Sequence, residues 1–192
     1  AELTLLLDGQ DHQLCNSDCE SLSITELLAL SGDSLEQLGK ERLVYTESRG
    51  NKDLRQAIAS MHTTVTAEDV MILGTPVEGI YLAARALLNP GDEVIVLTPA
   101  YDALTAMFEH VAGKAQVKRW AFQPGPGSWQ LHMDELRCLI TPQTRLLVVN
   151  FPHNPTGFLP APAFLEELAA LAEERGIILF CDEMYFGLVQ PG

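Results

Sequence analysis

Basic residues are scarce in this 192-residue sequence: 12 lysines and arginines stand against 26 aspartates and glutamates, for a formal charge of -14. Nucleic acids and anionic membrane surfaces call for clustered Lys and Arg, so neither is an expected partner, and the acidity reads as solubility. No apolar run approaches the roughly 20 residues that cross a bilayer, and Ala1 to Asp8 carries no basic leader segment. The expectation is a soluble, cytoplasmic protein. Cysteines number four, too few for a disulfide framework in a chain of this size. Cys15 and Cys19 could form half of a metal site, but the further ligands a tetrahedral site needs are wanting, so no metal is expected. Repeats and low-complexity tracts are also lacking.

What is present is hydrophobic content of 47%, enough for one domain with a sizeable core. From residue 50 onward helical and strand patterns alternate, which predicts an α/β fold: a mostly parallel sheet sandwiched by helices. Strands are expected at Val70 to Leu73, Val94 to Leu97, Gln116 to Trp120 (an edge), Arg145 to Asn150 and, as a last buried strand, Ile177 to Cys181. Helices are expected at Asp53 to His62, Glu78 to Leu88, Tyr101 to Ala112, Met133 to Ile140 and Ala163 to Glu174, with Pro124 to Gly127 as a loop. Residues 1–44 differ and read as an arm or small subdomain, with helical patches at Ile24 to Leu30 and Leu35 to Leu43. Ser34 and Gln37 suit a capping box there. Residues 45–192 form the larger domain.

Ligands of such sheets sit at the carboxyl ends of the strands. After Val70 to Leu73 comes Gly74-Thr75-Pro76-Val77-Glu78-Gly79, a turn into a helix whose first N–H groups could hold a phosphate; a plain structural turn accounts for it equally well. It lacks the lysine of a P-loop, and Thr98-Pro99 stands where a dinucleotide fold would place an acidic residue. Tyr101 follows the second strand and could stack on a planar ligand, or simply pack. Phe151 to Gly157 sets prolines and a glycine around Asn154, suiting a loop that aims one amide or a rigid turn. Asp182 ends an apolar strand, where a carboxylate needs a partner, so a cation is expected opposite it.

Together these segments resemble the class I/II aminotransferases of pyridoxal-phosphate (PLP) fold type I. The likeness rests on Tyr45 with Gly50 and Leu54-Arg55, Gly74 to Gly79, Asn89 to Val94, Pro99-Ala100-Tyr101, Asn150 to Gly157 and Cys181-Asp182-Glu183-Met184-Tyr185. Asn-Pro-Thr-Gly followed some 25 residues later by a strand ending in Asp-Glu-x-Tyr is its most specific part. The resemblance implies a PLP cofactor and transfer of an amino group between an amino acid and a 2-oxo acid. It implies that Asp182 pairs with the ring nitrogen, that Asn154 and Tyr185 bond the ring's 3-oxygen, and that Tyr101 stacks on the ring. The phosphate falls to the N–H groups of Val77 and Glu78, with Thr75 as a hydroxyl donor. Tyr45 resembles a tyrosine that reaches the neighbouring subunit's cofactor, implying a homodimer. His153 is a neighbour of the site or a loop-packing residue.

The family's Schiff-base lysine lies several tens of residues beyond the Asp-Glu-x-Tyr segment and is absent here; Lys40, Lys52, Lys114 and Lys118 are all upstream, and neither Arg49 nor Arg55 suits the substrate-carboxylate role. The chain as it stands is therefore expected to be inactive. By analogy with the family, two further strands are expected beyond Gly192, sitting between the Val70 to Leu73 and Arg145 to Asn150 strands, with apolar edges exposed without them. A PLP-dependent lyase or synthase of the same fold, or a non-catalytic PLP-binding or dimerisation module, are the alternatives.

Overall fold

Side chains along a strand point alternately to its two faces, and two apolar runs use this to bury both. Val94, Val96, Leu146 and Val148 face one hydrophobic cluster; Ile95, Leu97, Leu147 and Val149 face another. All eight are at most 2% exposed. A Val, Leu or Ile so buried contributes about 1.5–3 kcal/mol, against about 1–2 kcal/mol of backbone entropy per ordered residue, so these strands exceed the cost of ordering themselves.

The computed structural model describes residues 17, 19 and 21–188. They divide at Asn51 and Lys52 into two units. The first holds α1 (Ile24–Ser31) and α2 (Leu35–Leu38). A full capping box opens α1, with the Glu26 amide donating to Ser23 Oγ at 3.2 Å and the Ser23 amide to Glu26 Oε2 at 2.8 Å. Sequence reading placed its box at Ser34, whose Oγ does accept from the Gln37 amide at 3.3 Å. The second helix stops at Leu38, well short of the expected Leu43; with no buried residue, tertiary packing does not extend it.

The second unit is a three-layer α/β arrangement. Its elements are α3 (Lys52–Ala59), α4 (Pro76–Leu87), β1 (Glu93–Thr98), α5 (Ala103–Ala112), β2 (Val117–Ala121), β3 (Gln123–Gly125), β4 (Ser128–Gln130), α6 (Met133–Leu139), β5 (Thr144–Asn150), α7 (Pro162–Arg175) and β6 (Ile178–Asp182). The main sheet runs β2-β1-β5-β6, parallel throughout. Ile80 and Ala84 of α4 and Leu104 and Phe108 of α5 cover one face; Leu136 of α6 and Leu168 of α7 cover the other. Trp120 is fully buried there, its Nε1 donating to the His132 carbonyl at 3.1 Å and its ring stacked on Phe164.

Three expectations need correction. Residues 70–73 form no strand: an apolar run becomes one only with a ladder partner, no described strand adjoins it, and Met71 and Leu73 stay exposed. The Pro124 to Gly127 stretch is not a plain loop but the turn of the β3–β4 hairpin, with Gly125 paired to Ser128 and Gly127 at φ 77°. Nor is β6 fully buried; as the edge among described strands it is partly exposed, Cys181 most. Within the sheet β5 is flanked by β1 and β6, and no described strand lies beyond β6.

The amino end of β1 is pinned by Glu93, whose Oε2 takes Lys118 Nζ at 2.6 Å and the hydroxyls of Thr141 and Thr144. The Lys118 hydrogen bond, then that from Thr141, hold the Glu93 carboxyl below the usual carboxylate range. A lowered folded-state value means the stabilisation is full above the unfolded value of about 4.3 and is lost as pH falls through the folded one. Thermal melts of Glu93→Gln should therefore lie below wild type at pH 7 and converge with it below about pH 4; parallel curves across that range would refute the linkage.

Candidate functional site

The site is assembled from the carboxyl ends of β1, β5 and β6, and one buried amide does most of the joining. Asn150 ends β5 in register with Asp182 at the end of β6, and is 3% exposed. Its Nδ2 donates to the Asp182 carbonyl at 2.9 Å, which also accepts the Phe151 amide at 3.0 Å. Its Oδ1 accepts the Asn154 amide at 2.7 Å. One side chain thus sets the strand end that bears Asp182 and the loop that bears Asn154. Sequence reading missed this role; an asparagine closing an apolar strand just ahead of a proline-rich loop was the available signal.

The Asp182 carboxylate is half-buried and finds a backbone donor rather than a cation: Oδ1 accepts the Met184 amide at 3.0 Å. Among the described residues no lysine or arginine pairs with it; the cation that the resemblance implies for it is the ring nitrogen of the cofactor. Because β6 is the edge among the described strands, solvent and the Met184 amide share the carboxylate's charge. Asn154 is half-buried and its backbone alone is tied down by Asn150. Tyr185, half-buried, sits in the turn after β6, its carbonyl accepting the Leu188 amide at 3.2 Å.

Tyr101 follows β1 after Pro99 and keeps 49% of its surface exposed. The loop behind it is joined to the Asn154 loop by His153, which is 3% exposed and places Nε2 2.9 Å from the Pro99 carbonyl and Nδ1 2.7 Å from Thr156 Oγ1. The peptides before Pro99, Pro152 and Pro155 are cis.

At the start of α4, Thr75 is the N-cap and Pro76 the first helical residue, where a missing N–H costs nothing. Thr75 Oγ1 accepts the Glu78 amide at 3.3 Å, and Glu78 Oε2 turns back to the Gly74 amide at 2.9 Å. The Glu78 N–H is thereby engaged within the protein, while that of Val77 belongs to the first turn, which has no helical acceptor. Tyr45 lies in the first unit and is fully exposed. Arg55 is buried, its guanidinium bonded to the Ala67 carbonyl and 3.5 Å from Glu68, a structural setting. Lys118 is committed to Glu93 and Lys40 to Glu36. Among the described residues no three His, Cys, Asp or Glu gather as a metal site; Cys15 lies outside them, and Cys19 is a free, exposed thiol.

The donor set suits a PLP-like molecule, whose ring offers a protonated nitrogen, a phenolic oxygen, a flat face and a phosphate. Asp182 keeps one carboxylate oxygen beyond the Met184 bond, Asn154 keeps its side-chain amide, Tyr101 keeps an exposed ring, and α4 brings a helix amino end.

The family model described as aminotransferase class I and II matches residues 13–192. Aspartate aminotransferase of Sulfurisphaera tokodaii is 32% identical over 77% of this chain and 38% of its own length. Capreomycidine synthase of Streptomyces vinaceus is 34% identical over 92% of the chain and 45% of its own. A solved PLP-dependent aminotransferase from Streptococcus suis superposes with a TM-score of 0.78 at 30% identity, over 85% of this chain and 44% of that one. The chain spans less than half the length of each of these relatives.

Proposed function

Because the chain belongs to the class I and II aminotransferase family, which is PLP-dependent, we propose that it is the cofactor-binding part of an enzyme that moves an amino group between an amino acid and a 2-oxo acid. The observation that carries this reading is the Asn150 clamp, which brings the Asp182 strand end and the Asn154 loop together at the carboxyl edge of the sheet. Bound PLP supplies an electron sink for charge released at the substrate's α-carbon. Asp182 keeps a proton on the ring nitrogen, because an adjacent carboxylate favours the charged form. Asn154 and Tyr185 bond the ring's 3-oxygen, and Tyr101 covers the ring face and excludes water. The Val77 amide and the Thr75 hydroxyl take the phosphate, the Glu78 amide joins them by exchanging Thr75 Oγ1 for a phosphate oxygen, and Glu78 keeps its carboxylate turned to Gly74.

On this reading residues 1–44 form an arm and residues 45–192 the cofactor domain. The protein is a homodimer in which Tyr45, fully exposed on its own unit, reaches the partner's cofactor phosphate. The cytoplasm suits the free thiols of Cys19, Cys138 and Cys181; among the described residues no helix is long and apolar enough to cross a membrane. The likeness to capreomycidine synthase, which extends over more of the chain than that to the aspartate enzyme, favours one second reading, a synthase built on the same cofactor pocket.

Titration of the whole protein with PLP, followed by the cofactor's absorbance and induced circular dichroism, tests the proposal. Saturable binding is expected. Tyr101→Ala should weaken it about tenfold, since an aromatic pair contributes about 0.5–1.5 kcal/mol beyond area burial. No saturable signal, or a variant that binds like wild type, would count against the reading. Turnover with amino acid and 2-oxo acid pairs separates transaminase from synthase.

A further inference from the structure

We infer that His153 is a positioning residue: by bridging the Pro99 carbonyl and the Thr156 hydroxyl, it holds the loop that bears Tyr101 and the loop that bears Asn154 at one spacing.

Each proton in the bridge can be assigned. The Pro99 carbonyl can only accept, so Nε2 carries the ring proton; in a neutral ring Nδ1 is then an acceptor, and Thr156 Oγ1 donates to it. Thr156 Oγ1 in turn accepts the Phe158 amide at 3.2 Å. Burial lowers the histidine's pKa, which favours this neutral form. The ring has little freedom, because it lies 4.4 Å from the Phe122 ring, which meets Phe158 edge-on at 5.2 Å. Phe122 follows β2, and its amide donates to the Thr98 carbonyl at 2.8 Å. Loops after three strands therefore converge on one imidazole. Packing alone would need a ring here but neither nitrogen. The two bonds run to the segments just before Tyr101 and just after Asn154, the two residues assigned above to the ring face and the 3-oxygen.

The link to the cofactor rests on the reading of the preceding section; the link between the loops does not. Three variants separate the bonds from the packing. His153→Phe keeps the ring and loses both bonds. His153→Gln keeps an amide long enough for the Pro99 carbonyl, and His153→Asn only one short enough for Thr156. Hydrogen exchange of the whole protein without cofactor should show the amides near Tyr101 and near Phe158 exchanging roughly tenfold faster together in His153→Phe, as expected for one lost hydrogen bond of about 1.4 kcal/mol, with β1 and β5 unchanged. His153→Gln should restore the Tyr101 loop, and His153→Asn should not. With PLP, the dissociation constant should rise roughly tenfold for Phe and Asn and stay within about threefold for Gln. Loosening confined to the Asn154 loop, or a glutamine variant no better than phenylalanine, overturns the proposal. If wild type binds no PLP, the functional reading falls, and the exchange comparison still upholds or overturns the coupling of the loops.

Discussion

Asp182→Asn is expected to lower turnover of the whole protein by on the order of 10²–10³-fold, the range found when one preorganised electrostatic partner of a reacting group is removed. The substitution is close to isosteric, and the asparagine carbonyl oxygen can still accept the Met184 amide that Asp182 Oδ1 holds at 3.0 Å. The fold should therefore persist, with a melting temperature within about 4 °C of wild type, since 1 kcal/mol moves a domain of 150–250 residues by roughly 2–4 °C. What is lost is the charge: a neutral amide cannot favour a proton on the ring nitrogen. Steady-state rates with an amino acid and a 2-oxo acid, together with a titration of the bound cofactor's absorbance against pH, would read the effect. Undiminished turnover, or a spectrum that titrates as in wild type, would remove Asp182 from the proposed role. Asp182→Ala distinguishes charge from the Met184 bond, for it loses both.

The chain's legibility varied with how local the deciding physics was. Val94 to Leu97 and Arg145 to Asn150 were readable as strands because both of their faces are buried, which leaves a continuous apolar run in sequence. Gly113 and Gly176, at φ 92° and 64°, marked helix ends for the same local reason: their backbone conformation favours glycine. Val70 to Leu73 has an equally apolar run and is no strand, since pairing depends on a neighbour that composition cannot reveal. The β3–β4 hairpin hid in a Pro-Gly-Pro-Gly stretch whose turn chemistry was visible but whose flanking residues, Gln123 and Gln130, carry no strand signal.

At the candidate site, residue types at strand ends were legible and their connections were not. Tyr101, Asn154 and Asp182 stand out because each follows an apolar run. Asn150 does not, for its importance comes from register: only when β5 and β6 align Asn150 with Asp182 can one amide bond a carbonyl on the next strand and an amide four residues on. His153 was likewise visible as a residue beside the loop, but its contact with Pro99, 54 positions away in sequence, follows from β1 and β5 being neighbours.

Asn150 carries the largest stability effect expected here. Asn150→Ala removes both bonds of a side chain that is 3% exposed and strands the Asn154 amide, while the Asp182 carbonyl keeps the Phe151 amide as a donor. One unsatisfied buried donor costs about 1–3 kcal/mol and one lost hydrogen bond about 1 kcal/mol, for roughly 2–4 kcal/mol in all and about 5–15 °C in melting temperature. Asn150→Asp is the more telling variant. It keeps an acceptor for the Asn154 amide and sets a carboxylate against the Asp182 carbonyl, where the native amide donates at 2.9 Å. At neutral pH that variant should melt at or below the alanine one, and it should recover as acid protonates the new carboxyl and returns a donor. Calorimetry across pH 4 to 8 would measure both trends. If Asn150→Ala costs less than about 0.5 kcal/mol, the ordinary range for a surface change, the clamp is not what holds the two strand ends together. The proposed cofactor site would then need another support for the spacing of Asn154 and Asp182.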